Sequence, residues 1–247
     1  MPKLLFLSLR NGEIGPDVAR AEYHDALKAA GMDEVDMELR IIDSTDAAVG
    51  PLTGIDGVIV GGSSLNVTNA ETEPGYDDYQ RHVHALLGDL VETGLPVFFV
   101  CFGLSWLVHY CGGAVGRDRP EDSGPTDVRP TEAGRLDPLL AGAPEVFTAL
   151  TGHTENPQGV PDGLELLAES PEGLVQMVRY GKHVWATQFH AEMDADAMRT
   201  RMDFYHDYGY FPAEEYARIV ADLPNHDVAY ANGLIRAFAQ YCDAKAR

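Results

Sequence analysis

Three short segments of this chain carry residues that could do nucleophilic chemistry together. In "PVFFVCFGLSWLVHYCGGAVG" (Pro96 to Gly116) an unbroken apolar run ends on Cys101, Gly103 follows, and a helical pattern starts at Phe102. A strand that turns sharply into a helix lifts one side chain out of the sheet, and a nearby glycine permits the tight path. The amides and the positive dipole end of the following helix favour a thiolate. Taken alone, the segment also fits a buried cysteine closing a core strand. In "VWATQFHAEMD" (Val184 to Asp194) one residue separates His190 from Glu192 after an alternating apolar strand, so the two side chains share a face. A histidine beside a carboxylate is an oriented general base, though a surface His–Glu pair has the same pattern. "GVIVGGSS" (Gly57 to Ser64) runs a short apolar strand into a glycine pair. That pair either points main-chain N–H groups at a developing oxyanion or simply makes a tight turn.

The elements that must position these residues follow from the apolar pattern. "KLLFLSL" (Lys3 to Leu9) reads as a buried strand and "ARAEYHDALKAAG" as a helix stopped at Gly31. "DMELRIID" alternates as a second strand, and from Tyr76 the apolar residues recur at helical spacing through Val91. "PVFFVC" is a continuous apolar strand. Alternating strands and helices with unbroken apolar strands predict a parallel sheet covered on both faces. The second half adds the shorter strands "LELLAES", "GLVQMVRYG" and "HVWATQFH". Two helical patterns close the chain; in the last, Ala231, Leu234, Ile235, Phe238 and Cys242 share a face. The expectation is one α/β domain over residues 1–247, its ligand crevice at the carboxyl ends of the parallel strands.

Bulk properties narrow the partners. The formal charge is −21, from 39 acidic and 18 basic residues. This argues against nucleic acid and anionic membranes, whose phosphates would be repelled. The apolar run at the N-terminus is too short to span a bilayer, so a soluble cytoplasmic protein is expected. Only Lys3, Lys28, Lys182 and Lys245 are lysines, and the acidic residues are scattered. A hydrated acidic shell suits high salt; the readings are a halophilic or salt-accumulating source and an ordinary acidic cytoplasmic protein. Cys101 and Cys111 would lie about 15 Å apart along one helix, too far to bridge. Cys111 and Cys242 read as small core residues, Trp106 and Trp185 as core aromatics, and His109 as a packed or satisfied histidine. No metal is expected: no Cys-x-x-Cys or His-x-x-x-His set is present, and His82 and His84 point to nearly opposite sides of a helix.

Taken in order, the segments resemble the class I (triad) glutamine amidotransferases. They are nearest to free-standing members similar to the glutaminase domain of GMP synthase, and to the related gamma-glutamyl hydrolases and peptidases. "GVIVGGSS" resembles the family's Gly-Gly loop, "PVFFVCFGLSWLVHYCGGAVGR" its nucleophile elbow, "GHTENPQGVPDG" its histidine loop and "VWATQFHAE" its His-x-Glu strand. The tail "FYHDYGYFPAEEYARIVADL" is similar to that of the stand-alone members. The resemblance implies a flavodoxin-like, doubly wound, mostly parallel sheet with helices on both faces and the elbow at a strand's carboxyl end. It implies Cys101 as nucleophile, His190 as base and acid, Glu192 as the orienting carboxylate, and an oxyanion hole from the backbone N–H groups of Gly62 and Phe102. Gly61, Ser105, His153, Thr154 and Glu155 would border the substrate. The chemistry would be attack on a side-chain amide through a glutamyl thioester, with no cofactor.

Two positions depart from the family. Its elbow reads Cys-x-Gly-x-Gln where this chain has Ser105, and its histidine loop has serine or asparagine where this chain has Gly152. Each change removes a side-chain hydrogen bond worth roughly 1–3 kcal/mol in a desolvated pocket. The substrate is therefore glutamine or another gamma-glutamyl compound, and the polar segment Gly116 to Gly134 is expected to be a turn-rich specificity loop. No ATP-binding or synthetase segment is expected within these residues, so a true amidotransferase would deliver ammonia to a separate synthetase subunit. The alternatives are a partner-independent gamma-glutamyl hydrolase or peptidase, and a non-catalytic binding or regulatory protein on the same fold. Retention of Cys101, His190 and Glu192 together argues against the last.

Overall fold

The computed structural model describes residues 1–68, 76–206 and 213–246. Five strands make the parallel half of a nine-stranded sheet: β1 (Leu4–Ser8), β2 (Met37–Ile41), β3 (Gly57–Val60), β4 (Val97–Val100) and β11 (Val184–Thr187). They stand in the order β2-β1-β3-β4-β11, every neighbouring pair parallel, which is the flavodoxin-like winding. Alternate residues feed two cores. Leu4, Phe6, Ile59, Phe98 and Trp185 pack beneath helices α1 (Gly15–Ala30) and α7 (Ala229–Ala246). Leu5, Leu7, Val58, Val60, Val97 and Phe99 pack beneath α2 (Tyr76–Glu92) and α3 (Phe102–Tyr110). Apolar on both faces, these strands need a helix layer on each side.

The helix boundaries have local causes. Pro16 and Asp17 occupy the first turn of α1, and Gly31 closes it at φ 67°, its N–H reaching the carbonyls of Leu27 and Lys28. The face read into the last helix is buried throughout.

The sheet continues through β10 (Val175–Tyr180), β9 (Leu164–Glu169), β6 (Glu121–Pro130) and β7 (Phe147–His153), each antiparallel to the last. The polar segment Gly116 to Gly134, expected as a turn-rich loop, contains the ten-residue strand β6 and the short helix α4 (Glu132–Leu136). β6 lies between β7 and β9, and ladder bonds to both outweigh a composition poor in strand formers. A small ribbon pairs β5 (Val115–Gly116) with β8 (Asn156–Pro157). Helix α5 (Ala195–Phe204), capped by the Asp194 carboxylate accepting from the Ala197 N–H, was also not expected, and α6 (Tyr216–Asp222) precedes α7. His109 is exposed rather than packed, and Cys111 is half-buried, because the carboxyl end of α3 reaches the surface. Part of the family-like tail, residues 207–212, lies outside the described residues. Among the described residues no helix is long and apolar enough to cross a membrane.

Candidate active site

Cys101 sits where β4 gives way to α3, with φ 54° and ψ −98°. It is the only non-glycine at positive φ among the described residues, a conformation that costs about 1–3 kcal/mol. Its neighbours hold it there: the Cys101 N–H donates to the Thr187 carbonyl at 2.8 Å, and its own carbonyl accepts from Leu104 N–H at 2.9 Å. Gly103 is forced, since a Cβ there would lie 2.5 Å from the Phe99 Cβ. The Phe102 amide is in the first turn of α3, where no intrahelical acceptor exists, beside the thiol.

The two glycines after β3 have different surroundings. A Cβ on Gly62 would meet His190 Cε1 at 3.0 Å and Cys101 Cβ at 3.8 Å, so a side chain here would crowd the imidazole. The Gly61 N–H is taken by the sheet, donating to the Leu7 carbonyl, and a Cβ there would lie 2.9 Å from the Phe6 ring. Extending the β1–β3 ladder by one residue uses up that amide.

His190 follows β11 and is fixed by its N–H donating to Leu150 O at 2.8 Å. Its Nδ1 lies 2.7 Å from Glu192 Oε1, and both side chains are buried. The Asn232 side chain of α7 donates to the carbonyls of Ala191 and Met193, clamping the turn that carries Glu192. Burial opposes charge on both partners. The attraction between them prevails: Glu192 and the hydrogen bond to Cys101 raise the imidazole above its ordinary value, and His190 with Arg201 lowers the Glu192 carboxyl. The direction on each side describes an imidazolium held between a carboxylate and the cysteine sulfur.

A cleft of about 1160 Å³, its open mouth included, borders Cys101. Ser105, His153, Thr154 and Glu155 all line it, as do Gln188, Glu121 and Asn66. The Cys101 Sγ is 4.0 Å from Gly152 O and from Gln188 Nε2. Gly152 packs closely on the neighbouring strand: a Cβ there would lie 3.0 Å from Ser123 Oγ. His153 Nε2 is 2.7 Å from Glu121 Oε2, and Gln176 donates to the same oxygen. Burial would raise Glu121, but hydrogen bonds from His153, Thr126 and Gln176 bring it below the usual carboxylate range. Glu155 directs its carboxylate at the loop after the glycine pair, accepting from the N–H groups of Val67 (2.8 Å) and Thr68 (2.7 Å).

A second space of about 550 Å³, open solvent included, adjoins the cleft at Ser63, Cys101, Ser123 and Gly152, and of the two only this one touches His190. Behind it is a charged cluster that sequence reasoning missed. The fully buried Glu22 accepts from Arg10 Nε (3.0 Å) and Nη2 (2.6 Å), and from Arg201 Nη1 (2.5 Å). Arg10 Nη1 also donates to the Tyr205 hydroxyl. Among the described residues no cluster of three or more histidine, cysteine or acidic side chains is placed to hold a metal ion.

Comparison with known proteins matches the family model "Glutamine amidotransferase class-I" over residues 23–206. GMP synthase [glutamine-hydrolyzing] of Thermotoga maritima is 30% identical over 151 residues, covering 61% of this chain and 27% of that protein. The enzyme of the same name from Thermomicrobium roseum is 32% identical over 116 residues, covering 47% of this chain and 21% of its own length. The chain thus spans about a quarter of the length of these curated relatives. A solved glutamine amidotransferase of Thermotoga maritima superposes with TM-score 0.74 at 19% identity, covering 98% of this chain and 99% of that one. One from Methylobacillus flagellatus gives 0.69 at 16% identity, covering 99% and 95%. At these identities the structural likeness speaks to the fold.

Proposed function

Because this chain belongs to the class-I glutamine amidotransferase family, we propose that it hydrolyses the side-chain amide of glutamine or of a gamma-glutamyl compound, with Cys101, His190 and Glu192 as its catalytic triad. The observation that carries this is the strained Cys101 at the strand–helix junction, facing a buried His190 hydrogen-bonded to Glu192. The Cys101 thiolate attacks the amide carbon, and the carbonyl pair moves onto oxygen, where the N–H groups of Phe102 and Gly62 receive it. Collapse breaks the C–N bond while His190 gives its proton to the departing nitrogen, leaving a glutamyl thioester. His190 then takes a proton from water, the hydroxide attacks the thioester, and glutamate leaves as the thiolate reforms. Glu192 keeps the imidazole in one orientation throughout.

The amino-acid end of the substrate occupies the Ser105 cleft, which Glu155 braces by holding the Val67–Thr68 loop. We propose residues 1–247 as one domain, supported by a single large sheet and by α7 packing on α1. The names of the GMP synthase relatives support an ammonia-accepting synthetase subunit as partner. Ser105, in place of a glutamine side chain, favours the second reading, a gamma-glutamyl hydrolase that works without a partner. The test is release of ammonia from glutamine and of amine from gamma-glutamyl amides. Cys101→Ala is expected to lose at least about a thousandfold in rate, and Glu192→Gln about a hundredfold or more. Undiminished turnover in Cys101→Ala would refute the nucleophile.

A further inference from the structure

We propose that the space beside His190 is a subsite for the leaving amine of an N-alkyl gamma-glutamyl amide with an uncharged chain; this rests on the catalytic reading above. Cys101 borders both spaces, but the cleft holds Phe102 and Ser105 while the second space holds His190. A substrate whose carbonyl oxygen faces the Phe102 amide and whose glutamyl chain runs past Ser105 must direct its nitrogen at His190, the group that protonates it. Whatever is bonded to that nitrogen then lies in the second space. Ammonia would need none of that room.

The lining states what fits. Met193, Met198 and Met202 are buried and form an apolar wall; they come from the turn after Glu192 and from one face of α5. Methionine walls adapt to flexible aliphatic chains. Beyond them the space meets Arg10, Arg201 and Tyr205. The two guanidinium groups share the single Glu22 oxygen, and that carboxylate does not line the space. A chain ending in an ammonium would meet the like charges of Arg10 and Arg201, so an aminoalkyl amide is disfavoured. An uncharged alkyl chain stays in register with the reaction: the C–N bond breaks, His190 protonates the nitrogen, and a neutral amine departs.

The experiment uses the purified chain and the gamma-glutamyl methyl-, ethyl-, propyl- and butylamides, with glutamine and the 4-aminobutylamide alongside. The alkylamines are nearly equal in basicity, so a trend in kcat/KM reports the subsite rather than the leaving group. Each buried methylene is expected to raise kcat/KM by about fourfold. From methyl to butyl the expected gain is at least tenfold, and the 4-aminobutylamide is expected to forfeit it. Met198→Gln is expected to flatten the trend; as a ratio of rates on one preparation, that slope is unaffected by partial loss of folded protein. A flat or falling series while glutamine is still cleaved would overturn the subsite and leave the catalytic reading standing. Cleavage of none of these amides, glutamine included, would overturn both.

Discussion

Glu22 holds two guanidinium groups through one carboxylate oxygen. It is fully buried, and two guanidinium groups donate to its Oε1 through three N–H bonds of 3.0, 2.6 and 2.5 Å. Glu22→Gln keeps the shape and removes the charge, leaving Arg10 and Arg201 close together without their shared counterion. Breaking a buried ion pair from one side costs about 3–5 kcal/mol, because the surviving charge stays desolvated. Asp25, 3.4 Å from Arg201 Nη2, and Glu192 remain nearby to take part of the load, which places the expectation at about 3 kcal/mol. With a urea m-value of about 3 kcal/mol/M, the unfolding midpoint should fall by roughly 1 M at unchanged slope. Urea titration followed by tryptophan fluorescence measures this, because Trp106 and Trp185 are both buried in the native state. Replacing all three charges together (Glu22→Leu, Arg10→Met, Arg201→Met) should recover most of the loss. A loss below about 1 kcal/mol in Glu22→Gln, the value of an exposed pair, would refute the reasoning, since it would mean that water already screens the cluster.

Three further outcomes are expected. Burial, with the charges of Glu192, Asp194 and Glu22, raises the Asp25 carboxyl to about 7 against the pull of Arg201. An acid whose folded pKa lies above its unfolded value takes up a proton on folding, so its stabilisation is complete below the unfolded value and is lost as pH rises through about 7. Asp25→Asn should therefore flatten the fall in stability across that window, and an unaltered pH profile by urea titration would contradict it. Glu155→Gln weakens acceptance from two loop N–H groups, so KM for glutamine should rise about three- to tenfold with a smaller change in kcat; a fall in kcat alone would point to another role. With a formal charge of −21, the melting temperature should rise from low to molar KCl. A flat response by calorimetry would remove the high-salt reading of the acidic surface.

What the sequence disclosed and what it concealed follow from the same physics. Strands β1, β3 and β4 are apolar on both faces, so they stand out as unbroken runs, and the Cys101–Gly103 turn marks where one of them ends. The face of α7 is equally plain, since Leu234, Ile235 and Phe238 recur at helical spacing. Strand β6 was hidden because its pairing comes from β7 and β9, not from its own polar residues. Helix α5 was hidden by Arg201, a charge on the face that also buries Ala197, Met198 and Met202. Glu22 lay in view for the same reason: it stands four residues from Val18 and from Ala26 on the buried stripe of α1. A charged residue on an apolar stripe is a signal in itself, and two of them, one acidic and one basic, foretell a buried pair. That the sheet takes the Gly61 amide could not be read from two adjacent glycines, because only the ladder's length decides it. The surroundings of Gly152 were equally hidden, since the Ser123 hydroxyl that a Cβ there would crowd at 3.0 Å stands far away in sequence on the paired strand β6.

The central claim is that Cys101 is a live nucleophile in a site shaped for a gamma-glutamyl group. The most direct measurement is intact-mass labelling with a glutamine-shaped diazo-ketone, on the native chain and on Cys101→Ser, with iodoacetamide as the shape-blind control. The expected result is a single adduct on the native chain, absent from Cys101→Ser and suppressed by glutamine or a gamma-glutamyl amide. No adduct from the diazo-ketone, with iodoacetamide reacting no faster at Cys101 than at the half-buried Cys111, would contradict it.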